Sequence, residues 1–368
     1  MDMRRWLGVL LIVSPVLAGP LAPPTGPIAP TNKPLAEVEP RTLISAANTP
    51  GDATCVFKIT APGSYYLGAN VTGVAGKNGI VIEAANVTLD LNGFAVVGVA
   101  DSFTGVKLSN ASNFPNIAVV NGNVSNWGES GVDLIGNFVT PGSRIENVEA
   151  SSCRRYGIRC GTTGFVKNCI ASNIGPDAIS GISSYGIIGF SGSTVEGCVA
   201  SNCTGYGIVE GFGGVITGCW ATNCTLAGIS GYGGCVISNC SSTFNGGWGF
   251  SGLQEGAGSD GVQIISCVAS SNTAGGIEIA SRSTVRDCTV TGSGNKSGIL
   301  VSGTGCRIDS NHVTGYATGI QLTGTTNKVI RNSVTGAAST PYAVGSGNDV
   351  GPIGTAATSA SPWANLKD

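Results

Sequence analysis

The chain has 368 residues, 58 of them glycine; 42% are hydrophobic, only 11% are charged, and the formal net charge is −2. No basic run or basic face is visible, which argues against nucleic acid as a partner. With 19 Lys+Arg, 21 Asp+Glu and a single His, few groups are left for acid–base chemistry.

Arg4 and Arg5 precede an apolar run over residues 6–13 and then Val16-Leu17-Ala18. That is the pattern of a secretory signal peptide, residues 1–18, cleaved after Ala18. The run is too short for a membrane span, so the mature chain is expected to be secreted or held at the cell surface or periplasm, where disulfides are permitted. Residues 19–40 contain seven prolines, from Pro20 to Pro40, and read as an extended linker. Residues 40–47 read as one short helix, with Pro40 near its first turn and Asn48-Thr49-Pro50-Gly51 ending it. Together with the rest of residues 41–78, this helix is expected to cap the N-terminal end.

From residue 79 a Gly-hydrophobic pair recurs: Gly79-Ile80, Gly105-Val106, Gly131-Val132, Gly157-Ile158, Gly186-Ile187, Gly207-Ile208, Gly228-Ile229, Gly249-Phe250, Gly276-Ile277, Gly298-Ile299 and Gly319-Ile320. The spacings are 26, 26, 26, 29, 21, 21, 21, 27, 22 and 21. A second column holds Cys169, Cys198, Cys219, Cys240, Cys267 and Cys288, and Asn311 and Asn332 continue it. Each repeat contains two or three short β-branched segments divided by Gly, Asn, Ser and Thr, none long enough for a helix. A coil of three short strands and three turns needs about 20 residues, and coils stack at about 4.8 Å. The period therefore predicts an all-β fold, a right-handed parallel β-helix (a single solenoid) of about eleven coils over residues 79–340. Asn ladders are expected to bond between coils at the turns. A leucine-rich-repeat horseshoe is set aside, because these columns hold Ile, Val, Cys and Gly. Residues 341–368 lose the anchor and read as an irregular C-terminal cap.

The runs Gly63-Ser64-Tyr65-Tyr66-Leu67 and Asn86-Val87-Thr88-Leu89-Asp90-Leu91-Asn92-Gly93-Phe94 resemble the first coils of secreted bacterial right-handed β-helix proteins of the pectate-lyase-like superfamily. Ser361-Pro362-Trp363-Ala364-Asn365 resembles the ending of such proteins, so the likeness covers about residues 40–368. It implies a carbohydrate partner. The paired aspartates and Gly-His-Gly of polygalacturonases are absent, and His312 stands in Ser-Asn-His-Val, where it reads as a turn residue. No acidic cluster of the pectate-lyase type is visible either, so neither a metal nor another cofactor is expected.

The 13 cysteines are an odd number, so at least one is unpaired. Their columnar placement favours buried free thiols, and Cys203 with Cys224 is the best-placed pair if any bridge forms. No Cys-x-x-Cys is present to hold a metal. Two coils carry insertions, at residues 175–185 and 251–263, which are candidate loop walls.

In Gly-Ile-x-Ile the third residue points outward. That column reads Val81, Lys107, Asp133, Arg159, Ile188, Val209, Ser230, Ser251, Glu278, Leu300 and Gln321. Lys107, Asp133 and Arg159 are candidate catalytic residues, since a lyase of uronic-acid polymers needs a base and a cation for the enolate. The competing reading is an ion ladder that only supports stacking. Ahead of the anchor stand Tyr156, Tyr185, Tyr206 and Trp248; behind it stand Phe190, Phe212 and Tyr232. These aromatic files are candidate sugar-binding residues, namely Tyr156, Tyr185, Tyr206, Phe212, Tyr232 and Trp248. The expectation is a protein that binds a polysaccharide or cell-wall glycan or serves a surface structural role, with a polysaccharide lyase or epimerase as the alternative.

Overall fold

The computed structural model describes residues 39–111, 113–136, 141–176, 184–252 and 260–368. Arg41–Asp368 is one compact unit, a right-handed parallel β-solenoid. The expected signal peptide, most of the linker and the centres of both insertions lie outside the described residues.

Three parallel sheets run along the solenoid. The first has 13 rungs, from Cys55–Ile59 through Tyr206–Glu210 to Thr340–Val344, every one paired to the next. Two of these rungs lack the Gly-Ile signature, which is why the anchor count stopped at about eleven. Cys55–Ile59 and Thr340–Val344 keep the in–out alternation and pair in register (Phe57 with Ile80, Ile320 with Tyr342), and pairing does not need the glycine. The second sheet begins Thr42–Leu43, Gly63–Tyr66, Val87–Asp90 and continues to Asp349–Val350. The third runs from Val71–Thr72 to Asn365–Lys367.

The expected N-terminal helix is absent, and the described residues contain no helix at all. Thr42–Leu43 instead pairs with Tyr65 and Tyr66 as an edge strand. Arg41 donates to Asp90 at 2.9 Å, and Ser45 and Thr49 close a turn through Thr49 N to Ser45 O at 2.9 Å. The exposed ladder of the first coil attracts this segment more strongly than a single helical turn can hold itself.

The anchor glycine has a steric cause. A Cβ on Gly207 would lie 3.0 Å from both Ala221 Cβ and Cys224 Sγ, and one on Gly186 would lie 3.0 Å from Ala200 Cβ and Cys203 Sγ. The next coil's carbonyl is nearer still, Gly228 O to the first of those positions and Gly207 O, at 2.6 Å, to the second, and across the narrow interior the anchors face Ala, Ser242 or, further along, Val290, Val313 and Val334.

Every cysteine is buried and free. Cys169, Cys198 and Cys219 each offer a backbone N–H to the sulfur one coil on, at 3.4 Å. Asparagine takes over the same role further along. Cys288 N–H donates to Asn311 Oδ1, Asn311 to Asn332 and Asn332 to Asn365, at 3.0–3.1 Å. The Cys203 file likewise passes through Cys224 to Asn245 and Asn272.

Candidate functional site

The outward file of the first sheet forms in the register read from the sequence, with Lys107, Asp133 and Arg159 on consecutive rungs. Arg159 then turns to its neighbour. Its Nε donates to Asp133 Oδ1 at 2.9 Å and its Nη2 to Oδ2 at 2.6 Å, a bidentate pair. Burial alone would lower the Arg159 pKa, but Asp133 more than offsets this and raises it. The guanidinium also lies 4.5 Å over the Tyr156 ring. Lys107 is half-buried and has no hydrogen bond or ion pair among the described residues. The strip therefore presents a neutralised Asp–Arg pair beside one amine.

The aromatic file forms as well. Tyr156 and Tyr185 stack at 5.8 Å between centroids, and Tyr185 and Tyr206 at 5.4 Å with planes 12° apart. These rings spend their faces on one another. Tyr156 is buried and carries Arg155 and Arg159 on its ring, and Tyr185 has its hydroxyl pushed up to about 12, chiefly by burial. Trp248 lies over Gly275 of the next coil, in the space that glycine leaves. Of the six predicted aromatics only Phe212 is broadly exposed, at 45%, tilted against Tyr232 at 5.3 Å. Further along the outward file Ser251 donates to Glu278 at 3.2 Å, and burial raises the Glu278 carboxyl. His312 is exposed on the third sheet, 3.0 Å from Thr314 Oγ1.

The third sheet carries a surface that the sequence reading missed. Ser125, Ser151, Ser172, Ser201, Thr222, Thr243, Ser270, Thr291, Thr314 and Thr335 occupy one register position on ten consecutive rungs. Every one is Ser or Thr, all are at least half-buried or exposed, and none faces the core. Within the row Thr243 donates to Thr222 at 3.3 Å, and Thr314 and Thr335 lie 3.2 Å apart. Beside it runs the file Ile170, Val199, Trp220, Ser241 and Val268. Trp220 is 48% exposed, and its indole N–H donates to Thr243 Oγ1 at 3.3 Å, so the ring lies along the hydroxyl row. Phe244 follows Thr243 at the corner, 64% exposed with φ of 57°. The signal was present in the sequence as a Ser or Thr two residues after each Ile170-like position, hidden by the general abundance of Ser and Thr.

One buried carboxyl lies inside the solenoid. Glu210 is fully buried on the inward file, between Gly189 and Gly231, whose missing side chains make room for it. Ser193 donates to its Oε1 at 2.5 Å, and Oε2 has no hydrogen-bond partner among the described residues. Burial drives its pKa up to about 8, against the hydrogen bond from Ser193. Among the described residues no group of three or more His, Cys, Asp or Glu could hold a metal ion.

No family model and no curated protein matches the chain. Solved structures do. A tailspike protein of E. coli bacteriophage HK620, in complex with a pentasaccharide, is similar with a TM-score of 0.56 at 13% identity, over 83% of this chain and 72% of that one. A mannuronan C-5 epimerase A-module of Azotobacter vinelandii is similar with a TM-score of 0.45 at 14% identity, over 83% of this chain and 91% of that one. At such identities the likeness is one of fold.

Proposed function

We propose that this chain is an exported β-helix protein that binds a polysaccharide along the outer face of its third sheet. The observation that supports it is Trp220, half-exposed beside an unbroken row of ten Ser and Thr hydroxyls. Sugars present apolar faces and rings of hydroxyls, so a flat indole bordered by hydroxyls offers both kinds of contact. The row repeats at the strand spacing of about 4.8 Å, which suits a repeating polymer better than a single small molecule. The carbohydrate partner implied by the sequence resemblance and the pentasaccharide held by the tailspike relative fit this reading. Export is supported by the signal pattern of residues 1–18.

Binding is favoured over turnover because Arg159, the cation a uronate eliminase would use, is already charge-paired with Asp133 through Nε and Nη2. The test is affinity electrophoresis and titration calorimetry against a polysaccharide panel, with absorbance of unsaturated products read in parallel. Binding should appear with at least one polymer and weaken about tenfold in Trp220→Ala, since losing an aromatic anchor costs on the order of 1–2 kcal/mol. An absence of binding to every polymer, or binding unaffected by Trp220→Ala, overturns the proposal. Unsaturated products that disappear in Lys107→Ala would establish the lyase alternative.

A further inference from the structure

The C-terminal end of the second sheet holds a cleft of about 400 Å³, lined in part by Arg307, Lys328, Asp349, Ser361 and Trp363. Arg307, Lys328 and Asp349 are stacked on consecutive rungs. Trp363 is 52% exposed and forms one wall. Arg331 lies over its ring at 5.5 Å.

The charges in and around this cleft are unequally committed. Asp309 is buried, with 5% of its side chain exposed, and two guanidiniums converge on it. Arg307 donates through Nε at 3.0 Å and Nη2 at 2.8 Å, and Arg331 donates at 2.8 Å and 2.5 Å. Burial alone would raise the Asp309 carboxyl, but the hydrogen bonds from Arg331 and Arg307 hold it down to about 2. That cluster of two cations and one anion is fixed and carries a net positive charge. Lys328 is different. Among the described residues its one ion pair is to Asp349 at 2.9 Å, and Asp349 is 70% exposed at its side chain. An exposed pair of this kind is weakly held, so the ammonium is available to an incoming anion.

We propose that this cleft is a binding subsite for a saccharide carrying a carboxylate or sulfate, with the sugar ring against Trp363 and the anionic group on Lys328, displacing Asp349. The volume falls at the lower end of the range for small-molecule sites, enough for a short oligosaccharide. The surplus positive charge selects an anion. The indole selects a ring with an apolar face over a simple inorganic ion, and Ser361 offers a hydroxyl at the rim. This subsite rests on the reading that the protein binds glycans, but it differs from the third-sheet surface in residues and in ligand length.

Four probes are titrated into the whole protein: a short oligogalacturonate, a sulfated oligosaccharide of matching length, its neutral counterpart, and acetate. One of the two anionic sugars should bind saturably and weaken with salt, and the arm that binds identifies the anion. Lys328→Gln should weaken that binding about tenfold, the loss of one charge-assisted contact. Asp349→Asn should tighten it several-fold by freeing Lys328. Lys328 and Asp349 form only a surface pair, so both variants are expected to fold, and circular dichroism checks this. The proposal falls if neither anionic sugar binds, if the neutral sugar or acetate binds as well, or if Lys328→Gln is without effect. Loss of this binding with third-sheet polymer binding intact sinks the subsite alone, whereas no polysaccharide binding of any kind sinks the reading beneath it.

Discussion

Three backbone corners per coil depend on single residues that accept a left-handed conformation. One corner holds Asn126, Ser152, Asn173, Asn202, Asn223, Phe244 and Ser271, all at φ between 53° and 63°. Asparagine and serine tolerate that region, but an aromatic residue there is strained. Phe244 stays in spite of the strain and projects its ring into solvent beside Thr243, a combination typical of a binding surface. Phe244→Asn should stabilise the fold by about 1 kcal/mol and also weaken polysaccharide binding; denaturant titration and calorimetry read the two effects, and a stabilised variant with full affinity would separate Phe244 from the binding face. Glu210 shows the opposite kind of strain, a carboxyl enclosed in the core. Its folded pKa of about 8 stands above its ordinary value of 4.5, so the folded state keeps the proton that the unfolded chain releases. Its stability contribution is therefore full below about pH 4.5 and is lost as pH rises towards 8. Glu210→Gln should flatten that part of the stability–pH profile and leave the variant the more stable protein at pH 8, as measured by chemical denaturation across the range.

At the scale of the element, stacking makes two different residue types interchangeable. Cysteine and asparagine share one buried turn position, and each accepts the backbone N–H of the coil before it. The two differ in what they return. The Cys219 thiol, a weak donor, reaches Val195 O at 3.5 Å and Thr217 O at 3.3 Å, whereas the Asn332 amide reaches the equivalent Ile308 O at 3.0 Å and Ile330 O at 2.9 Å and adds Asn365 Oδ1 at 3.0 Å. Removing Asn332 leaves several buried groups without partners, each worth on the order of 1–3 kcal/mol. Asn332→Ala is expected to destabilise the C-terminal coils by at least about 3 kcal/mol, and Asn332→Cys to fall between it and the wild type. Hydrogen exchange at the adjacent coils would show both, and equal protection in the three proteins would remove the ladder as a source of stability. The anchor glycine belongs to the same scale: it is small because the next coil's carbonyl and the inward residues of the third sheet leave no room for a Cβ, not because its backbone turns.

Over the whole molecule, the period fixed which residues would share a file. Equal spacing along the chain becomes vertical alignment once strands pair in parallel, so the outward column from Val81 to Gln321, the tyrosine stack and the Cys-to-Asn file were all legible from sequence. Three things were not. The segment at residues 40–47 has helix-like boundary residues, but an open sheet edge lay next to it, and strand pairing won. Three of the six predicted aromatics, Tyr156, Tyr185 and Tyr206, cover one another's faces, because in-register neighbours one strand apart are close enough to do so. The exposed surface with Trp220, and the cleft with Trp363, depend on which of three sheets meets solvent and on how the last turn folds back. Periodicity places residues in columns, but only the closed solenoid decides which columns are covered, since burial is set by contacts between segments that the repeat does not encode.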